Sequence, residues 1–238
     1  MSLGGRLITA GEGVSCTTTT CSYPTGPTAV ALFQMESSSV TDTCGNFSLA
    51  SAPNVTFSSG KYGNAAVFNG TNAEINITGQ IPTSISADYA VSCWINADTL
   101  GSSGHFIFSN MRAGAAWVVG QAAIAIWNTK LRVYIINNTG GNAHIFESSS
   151  ALSTSTVYNI VANIDISASA SGSVDVFVNG SAFTTSFLAS TNMSGNDATQ
   201  FGVAQAGNRF DGYIDQVRIY TSTISLSQAG ELNSEIGC

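Results

Sequence analysis

Two antiparallel β-sheets stacked as a sandwich and closed by a short C-terminal helix are what this 238-residue sequence predicts. Three observations carry the prediction. Runs that alternate apolar and polar residues recur about every ten positions, separated by Gly, Asn and Ser clusters. The dipeptide Asn179-Gly180, flanked by Val174, Val176 and Val178 and then by Phe183, has the composition of a two-residue type I′ hairpin turn. A last alternating run, Phe210 to Tyr220, hands over to a Ser225-x-x-Gln228 spacing, which is a capping box ahead of a short helix.

The elements follow in order. Residues 1–28 show no periodicity, carry the run Thr17 to Thr20, and contain Pro24 and Pro27. They are read as an N-terminal arm: an assembly or anchoring segment, an ordered edge element, or a flexible tail. Residues 29–238 are assigned to the sandwich. Strands are expected over Val30–Met35, Val55–Phe57, Lys61–Gly63, Ala65–Gly70, Ala73–Ile77, Tyr89–Ala97, His105–Asn110, Ala116–Val119 and Ala122–Trp127. They continue over Leu131–Asn137, Ala143–Ser148, Val157–Ile166, Val174–Asn179 and Ala182–Phe187, with a turn at Asp42–Asn46. Strand alternation groups Cys93 with Tyr89, Val91 and Ile95, the signature of a small core residue. In the closing strand it groups Tyr213, Asp215, Val217 and Ile219, with Ile214, Gln216, Arg218 and Tyr220 opposite. A carboxylate at Asp215 then needs backbone N–H donors from a loop, a cation shared with Asp211 or other loop carboxylates, or solvent. The helix after Ser225 is expected to pack through Leu226 and Leu232, with Gly230 weakening its interior by up to about 1 kcal/mol.

Composition narrows the functions. Charged residues make up 9% of the chain, far below the usual share, and the net charge is −7 with seven Lys+Arg. No basic stripe exists, so nucleic acid is excluded as a partner. No apolar run approaches the roughly 18 residues of a membrane span, so no membrane insertion is expected. Met1 to Gly13 has no basic segment followed by an apolar one, and no secretory signal is expected from it. Five cysteines (Cys16, Cys21, Cys44, Cys93, Cys238) leave at least one unpaired within the chain. Cys16 and Cys21 bracket four threonines and could close a small loop, or both could be reduced thiols. None of the cysteines has the paired spacing of a zinc site.

Three blocks resemble laminin-G-like, concanavalin A-like jelly-roll domains. The stretch Phe210-x-Gly212-x-Ile214-Asp215-x-Val217-Arg218-Ile219-Tyr220, then Ile224-Ser225-x-x-Gln228, resembles their closing strand and turn, with Gln228 where the family usually has Glu. Gly63 to Gly70 resembles their opening, and Tyr158–Asp165 with Val174–Gly180 resembles a family hairpin in which Tyr158 stands at the usual Trp position. The resemblance runs from Ala29 to Leu232. With the N-terminal arm included, the chain is similar to laminin-G-like virion proteins of marine and cyanobacterial tailed phages. That similarity implies a non-enzymatic capsid decoration protein, assembled in the host cytoplasm and displayed at the virion surface. Its implied partners are the major capsid protein or another virion protein, further copies of itself, and surface glycans. A tail or tail-fibre adhesin and a cellular surface lectin are the alternative readings.

Glycosidases of this fold set carboxylates on one strand as Glu-x-Asp-x-x-Glu, so that acid and nucleophile share a cleft. Here Glu12, Glu36, Glu74, Glu147, Glu231 and Glu235 are isolated in sequence, and Asp165, Asp175, Asp211 and Asp215 could meet only through the fold. His105 and His144, expected at strand edges or in loops, have no Gly-x-Ser-x-Gly elbow to serve. No catalytic, cofactor-binding or metal-binding residue is therefore assigned, and no enzyme is expected. Calcium is the one cofactor left open, through Asp and Asn oxygens. Trp117, Trp127 and Tyr134 are either core or a sugar-stacking platform.

Overall fold

The computed structural model describes residues 21–38, 40–83, 85–111, 118–136, 142–193, 198–205 and 208–235. Its strands are β1 Ala29–Phe33, β2 Leu49–Ser51, β3 Thr56–Ser59, β4 Asn64–Asn69, β5 Ile75–Ile77 and β6 Tyr89–Ala97. They continue with β7 His105–Ser109, β8 Ala122–Trp127, β9 Lys130–Ile136, β10 Asn142–Ala151, β11 Val157–Ile164 and β12 Val176–Val178. The last are β13 Ser181–Ala182, β14 Thr185–Asn192, β15 Thr199–Phe201, β16 Val203–Gln205, β17 Asn208–Arg209 and β18 Asp211–Tyr220, before helix α1 Leu226–Ser234. The first sheet has the order β13-β12-β11-β6-β18-β4-β3, with β1 also paired to β18; the second has the order β14-β10-β9-β8-β7-β15-β5-β2. Between them lies one apolar core, in which Phe33 and Phe108 pack on Phe201, and Phe68 on Phe210. The expected all-β sandwich with a C-terminal helix is what forms. Among the described residues no helix is long and apolar enough to cross a membrane.

β18 is the axis of the first sheet. One side pairs with β6; the other pairs with β4 over Asp211–Ile214 and with β1 over Val217–Tyr220. The two halves meet at a bulge, where Gln216 takes a left-handed backbone (φ 47°) and the register to β6 shifts. The extra residue reverses the facing of everything before it. Ile214, Val217 and Ile219 all enter the core, whereas Asp215 lies opposite Trp94, outside the Cys93–Ile95 face. The expected grouping of Asp215 with Val217 and Ile219 is therefore corrected, because strict alternation fails at a bulge. Gly212 in the same strand has φ 132°, and a Cβ there would overlap the Asn96 carbonyl of β6. The closing motif needs glycine there for that reason.

Other corrections are local. β2, β15, β16 and β17 were not expected, and Lys61–Gly63, Val118 and Val119 lie outside any strand. The bridge from Cys21 goes to Cys44, not to Cys16, which lies outside the described residues. The turn after β1 is real and is built around Asp42. Its carboxylate accepts N–H bonds from Leu32 (2.8 Å), Cys44 (3.0 Å), Asn46 (2.9 Å) and Phe47 (3.1 Å). The capping box forms as expected, with Ser225 Oγ accepting from Gln228 N and Gln228 Oε1 from Ser225 N. Leu232 packs, but Leu226 is 51% exposed and Ala229 takes its place. Of the segment read as an arm, residues 21–28 are tied to the sandwich by the Cys21–Cys44 bridge and by bonds to α1.

Candidate functional site

Polar side chains and a partly open aromatic meet on the outer face of the second sheet. Asn128 and Thr129, both left-handed (φ 48° and 69°), make the two-residue turn between β8 and β9. That turn sets Trp127 opposite Lys130, Ala125 opposite Arg132 and Ala123 opposite Tyr134. β10 then places Glu147 opposite Arg132 and Ile145 opposite Tyr134. Alternation sends all of these side chains away from the core. The two alanines keep the floor of the face low beside them.

The charges are arranged around one carboxylate. Arg132 Nε and Nη2 both donate to Glu147 Oε2, at 2.8 and 2.7 Å, and Lys130 Nζ lies 3.6 Å from Oε1. The Arg132 guanidinium also sits 5.1 Å from the centre of the Trp127 ring. The indole is half-buried, and Gly104 lies so close to its six-membered ring that a Cβ would come within 3.0 Å. Tyr134 is buried, stacked obliquely on Phe106 at 5.6 Å. Burial raises the pKa of its phenol against the opposing pull of Arg132. Beyond Tyr134 the face is apolar and closed, through Ile136, Ala143, Met111 and Met193.

The sugar-platform and core readings of the aromatics thus divide. Tyr134 belongs to a second, outer core, Trp127 stays partly open, and Trp117 falls outside the described residues. Lys130, Arg132 and Glu147 were not picked out from the sequence. The signal was there: two of seven cations, two residues apart, directly after Trp-Asn-Thr.

The remaining candidates stand apart. Asp215 is fully buried on the outer face of the first sheet, where Oδ2 accepts the N–H groups of Lys61 (2.9 Å) and Tyr62 (3.0 Å). Burial pushes its pKa up to about 7. Loop donors, the first of the three options for this carboxylate, are what hold it. Asp211 instead accepts from Thr99 Oγ1, and Asp165 from Ser167. His105 opens β7, and its Nε2 accepts the Gly101 N–H. Burial lowers its pKa. His144 is inside β10, not at an edge, with its ring against Phe146 and Phe187. Cys93 is a buried free thiol whose pKa burial pushes up to about 12, as suits an unreactive core residue. Among the described residues no group of three or more His, Cys, Asp or Glu could hold a metal ion.

The fold recurs in solved structures. Domain 4 of AbnA, a GH43 extracellular arabinanase from Geobacillus stearothermophilus solved with arabinotriose, superposes with a TM-score of 0.62 at 20% identity, covering 86% of this chain and 98% of that one. The binding domain of Paraclostridial Mosquitocidal Protein 1 gives a TM-score of 0.67 at 16% identity, covering 86% and 51%. The botulinum neurotoxin serotype D ligand binding domain, solved with N-acetylneuraminic acid, gives 0.63 at 16% identity, covering 87% and 50%. This chain spans about half the length of the two toxin domains. No curated protein matches it in sequence. A family model, described as the concanavalin A-like lectin/glucanases superfamily, matches residues 68–229, which is more than half of the chain, and to that family the chain belongs.

Proposed function

We propose that this chain is a non-enzymatic, lectin-like module that binds glycans on the outer face of its second sheet, around Trp127, Lys130, Arg132 and Glu147. The observation that carries the reading is the Arg132–Glu147 pair beside a half-buried indole. Such a group offers what a sugar needs: an apolar edge for ring C–H groups, with fixed donors and an acceptor for hydroxyls. Two neighbours in fold were solved with sugars, arabinotriose in one and N-acetylneuraminic acid in the other. Against glycoside hydrolysis, the residues paired with Glu147 on the flanking strands are Arg132 and Ser186, neither of which is a carboxylate. A glycan array followed by calorimetric titration tests the reading. Trp127→Ala and Arg132→Met are expected to weaken a captured glycan at least tenfold, with the melting temperature within a few degrees of the parent. Unchanged affinity in both variants, or an array without a ligand, would sink it.

We further propose that the module is displayed at a phage virion surface as a capsid decoration protein, with the N-terminal segment as its attachment. The resemblance of the opening and closing motifs supports this, as does an uncharged polar surface in a chain with only 9% charged residues. Quantitative mass spectrometry of purified virions decides it. Hundreds of copies per particle fit decoration, a handful would favour a tail adhesin, and absence would discard the virion reading.

A further inference from the structure

We propose that residues 21–28 and helix α1 form a redox-controlled clasp, locked by the Cys21–Cys44 disulfide, that fixes the N-terminal end of the sandwich against its C-terminal helix. The strap is held at many points along its length. At its base Ala29 N donates to Cys21 O at 2.5 Å, beside the bridge to Cys44. Further along, Tyr23 OH donates to Glu231 O (2.7 Å) and Thr25 N to Glu231 Oε2 (2.9 Å). Tyr220 OH donates to Tyr23 O at 2.7 Å, and Arg218 lies over the Tyr23 ring. Gln228 closes the clasp. Its Oε1 caps the helix, while its Nε2 donates to Thr25 O at 3.1 Å. A glutamate would cap equally well but has no hydrogen to give Thr25. Gln228 therefore makes a bond to the strap that a glutamate could not.

The helix depends on the strap more than the strands do. Among its residues Ala229 and Leu232 are buried, Leu226 is open, and Cys21, Tyr23 and Cys44 pack into the same small outer cluster. Its entry is pinned separately, by Asn163 bonding both the N–H and the carbonyl of Ile224. The main core lies on the far side of the sheet and has no contribution from residues 21–28. Both sulfurs belong to half-buried residues, whereas Cys93 is 1% exposed, so a small thiol reaches the bridge and not the core cysteine. Opening consumes two equivalents of a thiol such as glutathione. One thiolate attacks a bridge sulfur to form a mixed disulfide, and a second displaces the remaining protein thiol. The products are two protein thiols and one oxidised small-molecule disulfide.

Hydrogen exchange read by mass spectrometry on the folded, full-length chain tests the clasp, with and without reduced glutathione. Reduction, and the double variant Cys21→Ser/Cys44→Ser, are each expected to speed exchange in 21–28 and 228–232 at least tenfold more than in β6 and β11. With the bridge intact, Gln228→Glu is expected to speed exchange in the same two segments. Unchanged exchange on reduction overturns the proposal, and so does an equal speeding of exchange in β6 and β11, which would make the bridge a global staple alone. Should the double variant fail to fold, reduction of the folded parent gives the same reading.

Discussion

Asp215 has to stay buried to hold the Lys61–Tyr62 turn, and that burial has a consequence with pH. Its carboxyl is favoured protonated in the folded chain, at about 7, against about 3.8 when exposed. Between those values the folded state binds more protons than the unfolded one, so this residue's contribution falls as pH rises through the window and is constant above it. A shift of this size corresponds to roughly 4 kcal/mol across pH 4 to 8. Glu235, raised chiefly by burial and opposed by Arg218, adds a slope of the same sign. Asp215→Asn keeps an oxygen for the two N–H donors and removes the buried charge. The variant is expected to gain stability at pH 8 and to lose most of the pH dependence seen in the parent by chemical denaturation. Parallel curves for parent and variant would show that the carboxylate is solvated. Asp215→Ala, which also strands both donors, is expected to cost about 2–3 kcal/mol at pH 5.

Helix α1 and the β12–β13 hairpin meet through two glycines, and the two respond oppositely to a methyl group. Gly180 is left-handed (φ 71°), and a Cβ there would press on Gly230 Cα at 3.0 Å and Asn233 at 3.2 Å. Gly230 itself faces open space. Gly180→Ala is therefore expected to cost roughly 2 kcal/mol through turn strain and lost helix docking. Gly230→Ala is expected to add about 0.5–1 kcal/mol through helix propensity alone. Thermal melting of the two variants checks both signs. At this scale the sequence is legible where side chains alternate without interruption. β6 and β8 match their expected bounds, the Asn179-Gly180 turn forms with both residues left-handed, and the capping box is present. Legibility fails in three places, for different reasons. The bulge at Gln216 breaks the period of two, and no residue type announces it. β15 reads Thr-Gln-Phe, β2 Leu-Ala-Ser and β17 Asn-Arg, each too short to show a period, so pairing alone defines them. The Arg132–Glu147 pair joins positions on different strands, a juxtaposition that exists only once register is set.

On the scale of the whole molecule, the two outer faces divide the work. The first sheet's outer face carries the 21–28 strap, α1 and the Arg218–Glu235 ion pair. The second sheet's outer face carries the indole and its charges. A module held by its N-terminal segment would thus present the proposed glycan face on the other side of the sandwich. Truncation separates anchoring from folding. A chain beginning at Cys21 keeps the bridge, the Tyr23 contacts and the Thr25 bonds, and is expected to melt within about 3 °C of the parent. A chain beginning at Ala29 loses all of them. A bridge closing a loop of this length contributes about 3 kcal/mol, and in a domain of this size that amounts to a drop of roughly 6–12 °C. If the N-terminal segment is the particle anchor, both truncations lose attachment in a virion-binding assay, but only the second loses stability. Equal melting temperatures for the two would mean that the strap rests on the sandwich without supporting it, and retained attachment by the longer one would remove residues 1–20 from the anchoring role.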